Sequence, residues 1–254
     1  MKYTVLTLFP EIIDAFFANS IIAKALKRGI IEYQPVNIRD FAHDKHKTCD
    51  DAPYGGGAGM LMLPQPLAFA LEHAKASSGN KKRVIYLSPS GQPFNQTLAK
   101  ELAAEQELIL LCGRYEGIDQ RIIDRYVDDE ISVGDYVLSS GEAAALVIID
   151  ATYRLVDNVI TPGSLDEESF SSGLLEYPQW TRPEEFDNMK VPEILLSGHH
   201  EQIRLWRLEK RVEKTLRQRP DMIQHGRAFG IFSKEINGII DRMTGEKDER
   251  NSGN

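Results

Sequence analysis

The chain has almost no cysteine: Cys49 and Cys112 are the only two in 254 residues. Two thiols are too few for a disulfide framework or a cysteine-ligated zinc cluster, so a reduced, cytoplasmic protein is the default expectation. Long apolar runs are missing too. Nothing approaches the roughly 20 residues needed to cross a bilayer. The opening Met1-Lys-Tyr-Thr-Val-Leu-Thr-Leu-Phe-Pro10 is broken by threonines and lacks a small-residue cleavage site, so it reads as a first strand rather than a signal segment. Nor is there an excess of positive charge: 30 Lys and Arg face 38 Asp and Glu, a formal net charge of −8. That excludes a wholly basic nucleic-acid binder and leaves such a role to a local patch. No Gly-x-x-x-x-Gly-Lys-Ser/Thr occurs, which disfavours a P-loop, and no internal repeat is visible.

What is present is an alternation of apolar runs and glycine turns. The length predicts one large or two unequal domains, and 42% apolar residues can bury a sizeable core. The centre of the chain is Leu108-Ile-Leu-Leu-Cys-Gly-Arg-Tyr-Glu-Gly-Ile-Asp119. A short apolar run ending in glycine suits a strand buried on both faces of a parallel sheet. Arg114, Tyr115 and Glu116 then stand at its carboxyl end, where open α/β sheets bind ligands. Ile131-Ser-Val-Gly-Asp-Tyr-Val-Leu-Ser-Ser-Gly-Glu142 repeats the plan, with an apolar Tyr136-Val137-Leu138 before small residues that open a helix.

Around these stretches the periodicity predicts strands at Tyr3–Leu8, Tyr33–Ile38 (weakened by Pro35), Arg83–Ser88 and Leu108–Cys112. It predicts helices over Pro10–Asn19, Gln65–Lys75, Asn95–Ala104, from about Ile118, and over Glu142–Leu155. Such alternation indicates an α/β domain with a mainly parallel sheet. Arg39–Gly59 is a long polar loop of the kind that is often functional. Its Gly55-x-Gly57-x-Gly59 lacks the preceding strand that a dinucleotide turn requires. His43, Asp44 and His46 have no distinctive metal spacing, and a solvated loop is the better reading.

Thr161–Gly173 is rich in Gly, Ser and acids and reads as a mobile linker. Beyond it the chain looks helical. His199–Arg219 is the strongest helix, with Leu205, Leu208, Val212 and Leu216 expected on one side and Arg204, Arg207, Arg211 and Lys214 on the opposite one. Gly245–Asn254 is polar and expected to fray.

Five motifs, in order along nearly the whole chain, resemble the bacterial tRNA (guanine-N1)-methyltransferases of the SPOUT superfamily. They are Asp50-Asp-Ala-Pro-Tyr-Gly-Gly-Gly-Ala-Gly-Met-Leu-Met62, Tyr86-Leu-Ser-Pro89, Cys112-Gly-Arg-Tyr-Glu-Gly-Ile-Asp119, Ser132-Val-Gly-Asp-Tyr-Val-Leu138 and Val191-Pro-Glu-Ile-Leu-Leu-Ser-Gly198. The resemblance implies a parallel α/β sheet with a deep trefoil knot in roughly Tyr86–Leu138, which periodicity does not reveal and the general rule against knots would disfavour. It implies a methyltransferase domain over 1–160, a flexible linker over 161–175 that carries the base, and a small helical tRNA-binding domain over 176–254.

The activity implied is methyl transfer from S-adenosyl-L-methionine to N1 of the guanosine immediately 3′ of the anticodon, tRNA position 37. The enzyme would be a homodimer with shared active sites and without a membrane or DNA partner. A Mg²⁺ requirement is left open. The donor would be held by Tyr86, Leu87, Ser88 and Pro89, by Gly113, Tyr115, Glu116 and Gly117, and by Val133, Gly134, Asp135, Tyr136, Val137, Leu138 and Gly141. The tRNA would meet Asp50, Gly59, Arg114, Ser169, Arg204, Arg207, Arg211 and Lys214. Glu168, directly before Ser169-Phe170, falls at the family's base position, and Arg154 matches its catalytic arginine.

Three residues depart from the family pattern: Val133 for Ile, Ser140 for the second Gly of Ser-Gly-Gly-Glu, and Glu168 for Asp. Ser140 would strain its turn if the position required φ > 0. A non-catalytic RNA-binding protein on the same scaffold is the competing reading. An open-sheet methyltransferase for small molecules is another, but that class places its glycine turn after the first strand, where Phe9-Pro10-Glu11 stands here.

Overall fold

The structure, a computed structural model, describes residues 1–77, 79, 81–160, 163 and 168–245. The chain divides into two compact units, Met1–Thr161 and Pro162–Asn254.

The first unit is built on five parallel strands in the order β2-β1-β6-β5-β7: β1 Lys2–Thr7, β2 Glu32–Asn37, β5 Lys82–Pro93, β6 Glu107–Cys112 and β7 Asp129–Ser132. A small antiparallel pair, β3 Asp50–Asp51 and β4 Leu61–Met62, closes the long polar loop. The helices are α1 Pro10–Phe17, α2 Ser20–Lys27, α3 Pro64–Ala76, α4 Gln96–Ala103, α5 Gln120–Tyr126 and α6 Gly141–Tyr153.

Central β6 is buried at every residue, as its unbroken apolar run requires. Its side chains alternate between two cores. Leu108, Leu110 and Cys112 pack with residues of α1, α2, α4 and α6, while Ile109 and Leu111 pack with residues of α3 and α5. Pro35 sits in β2, an edge strand, where a missing N–H is tolerated. Asn95 and Asp119 cap α4 and α5, their side chains accepting from Leu98 N and Arg121 N at 3.0 Å each.

Three features differ from the sequence reading. Helix α2 was not anticipated; Ser20, at φ 62°, breaks it from α1, and neither an N-cap bond nor a Pro announces it. The apolar Tyr136-Val137-Leu138 is not a buried run. The strand ends at Ser132, and these three side chains are exposed, Val137 at 85%. Third, β5 runs past Ser88 to Pro93, but its pairing with β7 jumps from Leu87 to Gln92, so residues 88–91 leave the ladder.

The second unit holds a hairpin of β8 Glu185–Phe186 and β9 Met189–Lys190, then α7 Glu193–Leu196, α8 His200–Gln218, α9 Pro220–Ala228 and α10 Lys234–Thr244. Asp187 and Asn188 both have positive φ, the geometry of a tight two-residue hairpin turn. Leu174, Val212, Ile223, Phe232, Ile239 and Ile240 form its core. Part of the expected linker belongs to this core. Leu174 is fully buried, Phe170 N donates to Leu174 O at 2.9 Å, and Ser171 N donates to Glu168 O at 3.2 Å. Residues 161, 162 and 164–167 of that stretch, and 246–254 of the expected frayed tail, lie outside the described residues.

Helix α8 corrects the expected basic face. Successive residues of a helix are turned by about 100°, so a row at 204, 207, 211 and 214 adjoins a row at 205, 208, 212 and 216 instead of opposing it. Arg211 falls at the buried edge: its Nη2 donates to Ser172 Oγ at 2.7 Å and its Nε to Leu175 O at 3.3 Å. Arg204 pairs with Glu201 and Glu235, and Leu205 is exposed.

Candidate active site

At the carboxyl ends of β5, β6 and β7 a cavity of about 410 Å³ opens, in the usual range for a small-molecule site. Its walls are three chain segments: 86–90, where β5 leaves the ladder, 113–118 after β6, and the segment from Glu130 to Gly141. Every residue expected to hold the donor lines it except Asp135, and Arg114 joins them. Ser90, Ile118, Gln120, Glu130 and Ser132 also line it and were not singled out in the sequence. Glu130 and Ser132 lie on β7 beside Val133, so a correct end for that strand would have found them.

Two glycines set the cavity's tightness. A Cβ on Gly113 would meet the Tyr86 ring at 2.9 Å. One on Gly141 would lie 2.8 Å from both Cys112 Cα and Gly113 N, which are backbone atoms that cannot rotate away. Gly141 N also donates to Gly113 O at 2.8 Å, so the start of α6 is pressed against the end of β6. Ser140 is extended at φ −166°, a conformation open to any residue, so the substitution for glycine strains nothing.

Burial, and then the charge of Glu130, pushes the Tyr86 phenol up to about 12, which leaves it a neutral hydroxyl near pH 7. Burial, followed by the Glu142 carboxylate, raises the Cys112 thiol well above its ordinary value, so it is not a nucleophile. Glu142 itself is 2% exposed in the first turn of α6, where the helix dipole favours an anion. Its Oε1 accepts from Thr7 Oγ1 at 2.5 Å, and Thr7 Oγ1 accepts from Phe9 N at 2.9 Å.

The polar loop reaches the rim of this cavity. Glu116 N donates to Met60 O at 3.0 Å and Met62 N to Gly117 O at 3.0 Å, laying residues 60–62 along 116–117. Gly59 thereby faces the Glu116 side chain. Asp50 lies beside the Tyr115 hydroxyl; burial first, and then this carboxylate, raises the Tyr115 pKa. Tyr115 holds φ 58°, an uncommon backbone state for a bulky residue and one that concentrates at functional sites. Arg114 lies over the Phe9 ring at 4.5 Å. His43, Asp44 and His46 do not form a metal centre: Asp44 caps its own turn, accepting from Thr48 N at 2.8 Å and His46 N at 2.9 Å. Among the described residues no group of three His, Cys, Asp or Glu side chains is placed to hold a metal.

Of the two expected catalytic residues, Arg154 is not beside the cavity wall and Glu168 belongs to the second unit. Arg154 is the C-cap of α6, whose other end forms that wall. Thirteen helical residues rise about 20 Å. Thr152, next to that end, bonds Tyr3 near the amino end of β1, Oγ1 to hydroxyl at 2.9 Å. Glu168 is half-buried in the second unit, its carbonyl also accepting from Ser171 Oγ at 2.6 Å, while Ser169 Oγ accepts from Glu176 N at 3.0 Å.

Comparison with known proteins places this geometry in a family. Residues 1–225 match the family described as tRNA (Guanine-1)-methyltransferase TrmD. A tRNA (guanine-N(1)-)-methyltransferase of Treponema denticola is 64% identical over 246 residues, covering 97% of this chain and 100% of that protein. The proteins of the same name from Borrelia duttonii and Treponema pallidum are 62% identical over 224 residues and 56% over 243. They are covered over 92% and 96% of their lengths, by 87% and 96% of this chain. No helix among the described residues is long and apolar enough to cross a membrane. Matched over most of its length by the family and by these relatives, the chain belongs to the tRNA (Guanine-1)-methyltransferase TrmD family.

Proposed function

We propose that this chain transfers a methyl group from S-adenosyl-L-methionine to N1 of the guanosine immediately 3′ of a tRNA anticodon, giving N1-methylguanosine. The observation that carries this reading is the chemistry of the cavity. Leu87, Ile118, Ile131, Val133 and Ala144 offer an apolar slot for an adenine ring, and Ser88 and Ser132 offer polar atoms. The lining has two carboxylates, Glu116 and Glu130, against one cation, Arg114. That balance suits a donor carrying a sulfonium and an ammonium, and is poor for the phosphates of a dinucleotide.

When bound, S-adenosyl-L-methionine supplies an electrophilic methyl group. The protein's part is to free the nucleophile. Guanine N1 carries a proton, and the Glu168 carboxylate accepts it as general base. Negative charge then grows on O6, where the Arg154 guanidinium stabilises it. Tyr86 and the glycine-bearing walls fix the donor and exclude water.

Since α6 carries Arg154 about 15 Å beyond Ala144, its last residue to line the cavity, Arg154 serves the cavity of a second copy. This reading makes the protein a homodimer with shared sites. The exposed Tyr136-Val137-Leu138 at the cavity mouth is an apolar surface for that copy to cover. The tight Gly141–Gly113 crossing fits a chain threaded as a trefoil knot.

Incubating the protein with labelled methyl donor and total tRNA, then digesting to nucleosides, should give label in N1-methylguanosine. Label in another nucleoside, or in none, overturns the reading. Light scattering of the same sample should give the mass of two chains.

The second unit supplies grip on phosphates through Arg207 and Lys214, since Arg204 is held by Glu201 and Glu235. Lys214→Ala should lower the slope of log affinity against log salt by about one unit or slightly less. Arg211→Ala should instead lower the unfolding temperature, because Arg211 bonds Ser172 and Leu175 inside the unit. Filter binding across a salt series and thermal melts check the pair.

A further inference from the structure

The second unit contains a pocket that the methyl-transfer reading does not use. It is a cavity of about 950 Å³ between the Tyr177–Glu184 segment, α7 and α8. Part of its lining is aliphatic, from Leu195, Leu196 and Ile203, and part is aromatic and basic. Trp180 is 41% exposed, and Trp206 lies against it at 5.5 Å with the rings tilted by 53°, so one ring props the other without covering its face. Across the pocket the Arg207 guanidinium lies over Tyr177 at 4.8 Å, a planar cation held flat before any ligand arrives. The ionisable lining is Arg182 and Arg207 against Glu184 alone, a local positive balance on a chain of net charge −8. Gln179 and Thr181 add amide and hydroxyl groups to the lining.

We propose that this pocket takes an unstacked nucleobase from a single-stranded part of the RNA substrate, stacked on Trp180, with the neighbouring phosphate on Arg182. The inference rests on the tRNA reading above and adds a base-binding site to it. Single-stranded RNA is recognised by splaying bases onto aromatic rings and guanidinium planes, beside cations that follow the backbone. Both kinds of platform and the cations are present. A proline-rich peptide also uses aromatic grooves, but its backbone carries no phosphate at each residue for Arg182 to meet.

The chain's two tryptophans, Trp180 and Trp206, are both here, so tryptophan emission reports this pocket. Full-length protein is titrated with an RNA hairpin bearing an anticodon-type loop and with a fully paired RNA of equal charge. Filter retention measures binding in parallel. The looped RNA should quench emission saturably as it binds, and the paired RNA should not. Trp180→Ala should bind the looped RNA about tenfold more weakly, the loss of one base–aromatic stack. Trp180→Tyr, which keeps an aromatic face, should restore most of that affinity. Circular dichroism spectra and thermal melts should match the parent in both variants, confirming that the second unit still folds. Looped RNA bound with unaltered emission, Trp180→Ala binding at the parent affinity, or quenching by a proline-rich peptide alone would each overturn the base site. If the parent neither binds nor methylates tRNA, the broader reading fails; if it does both and Trp180→Ala binds equally well, only the base site fails.

Discussion

Replacing Glu168 by Gln is expected to slow single-turnover methylation of tRNA by about 10²–10⁴-fold, the usual contribution of a positioned general base. Binding of the methyl donor and of tRNA should be spared, because the amide keeps the shape of the side chain and loses only its ability to take a proton. The backbone at this position is already ordered. Glu168 O accepts from both Ser171 N and Ser171 Oγ, and the Leu174 side chain just beyond is fully buried. The turn therefore presents Glu168 from a folded segment. Glu168→Asp should retain activity, since a carboxylate one methylene shorter remains at the end of the same turn. Rapid-quench assays with excess enzyme over tRNA separate this step from product release. Asp166 and Glu167 are the competing bases and lie outside the described residues. If Glu168→Gln reacts at the parent rate while Asp166→Asn or Glu167→Gln does not, the assignment moves to that carboxylate.

Gly141→Ala should abolish measurable donor binding at ordinary concentrations, because the new Cβ would lie 2.8 Å from two backbone atoms of the cavity wall. Overpacking of this kind typically costs about 1–3 kcal/mol, so the variant should still fold, with a lower unfolding temperature. The proposed sharing of sites between two copies gives a second, sharper outcome. Arg154→Ala keeps its cavity and loses its cation; Gly141→Ala keeps its cation and loses its cavity. Each homodimer should be inactive. When the two are unfolded together and refolded, half of a symmetric dimer population is mixed, and each mixed dimer has one complete site, so about a quarter of parent activity should return. If Arg154 served its own chain's cavity, no combination would contain a complete site. An inactive mixture of well-folded dimers would therefore overturn the exchange of Arg154 between copies.

The sequence made some parts of this molecule legible and hid others for physical reasons. The unbroken apolar run of β6 and its terminal glycine announced a central buried strand, and most of the helices followed from their 3.6-residue period. The cavity-lining segments at 86–89, 113–117 and 133–141 were identifiable because they matched a family's motifs; glycines alone would have placed only tight turns. The strand order was not legible, since pairing is a long-range property that no local pattern encodes. Tyr136-Val137-Leu138 misled because apolarity marks contact with something apolar, and a chain folding alone leaves that contact unmade. Arg211 misled because rows drawn on a helix show angular position, while burial depends on what packs there; Ser172 and Leu175 arrive from a segment that composition marked as linker. The helix carrying Arg154 was legible as Glu142–Leu155, but its distance from the cavity became visible only once the cavity was seen at the first turn of α6.

Helix α6 also bears on how this sequence can change over generations. Its first residue is wedged against β6 and its last turn is tied to Tyr3 through Thr152. Its register is therefore set at both ends. Inserting one residue between them would turn everything beyond by about 100° and advance it by about 1.5 Å, breaking the Thr152 bond and aiming Arg154 away from its target. Exchanges of side chain are a different matter: Val147 and Asp150 face outward, so replacing them should leave the register of the helix unchanged. Gains and losses of residues in descendants of this chain should spare 141–154 and collect in surface turns such as Asp187-Asn188, where added length disturbs only a local hairpin.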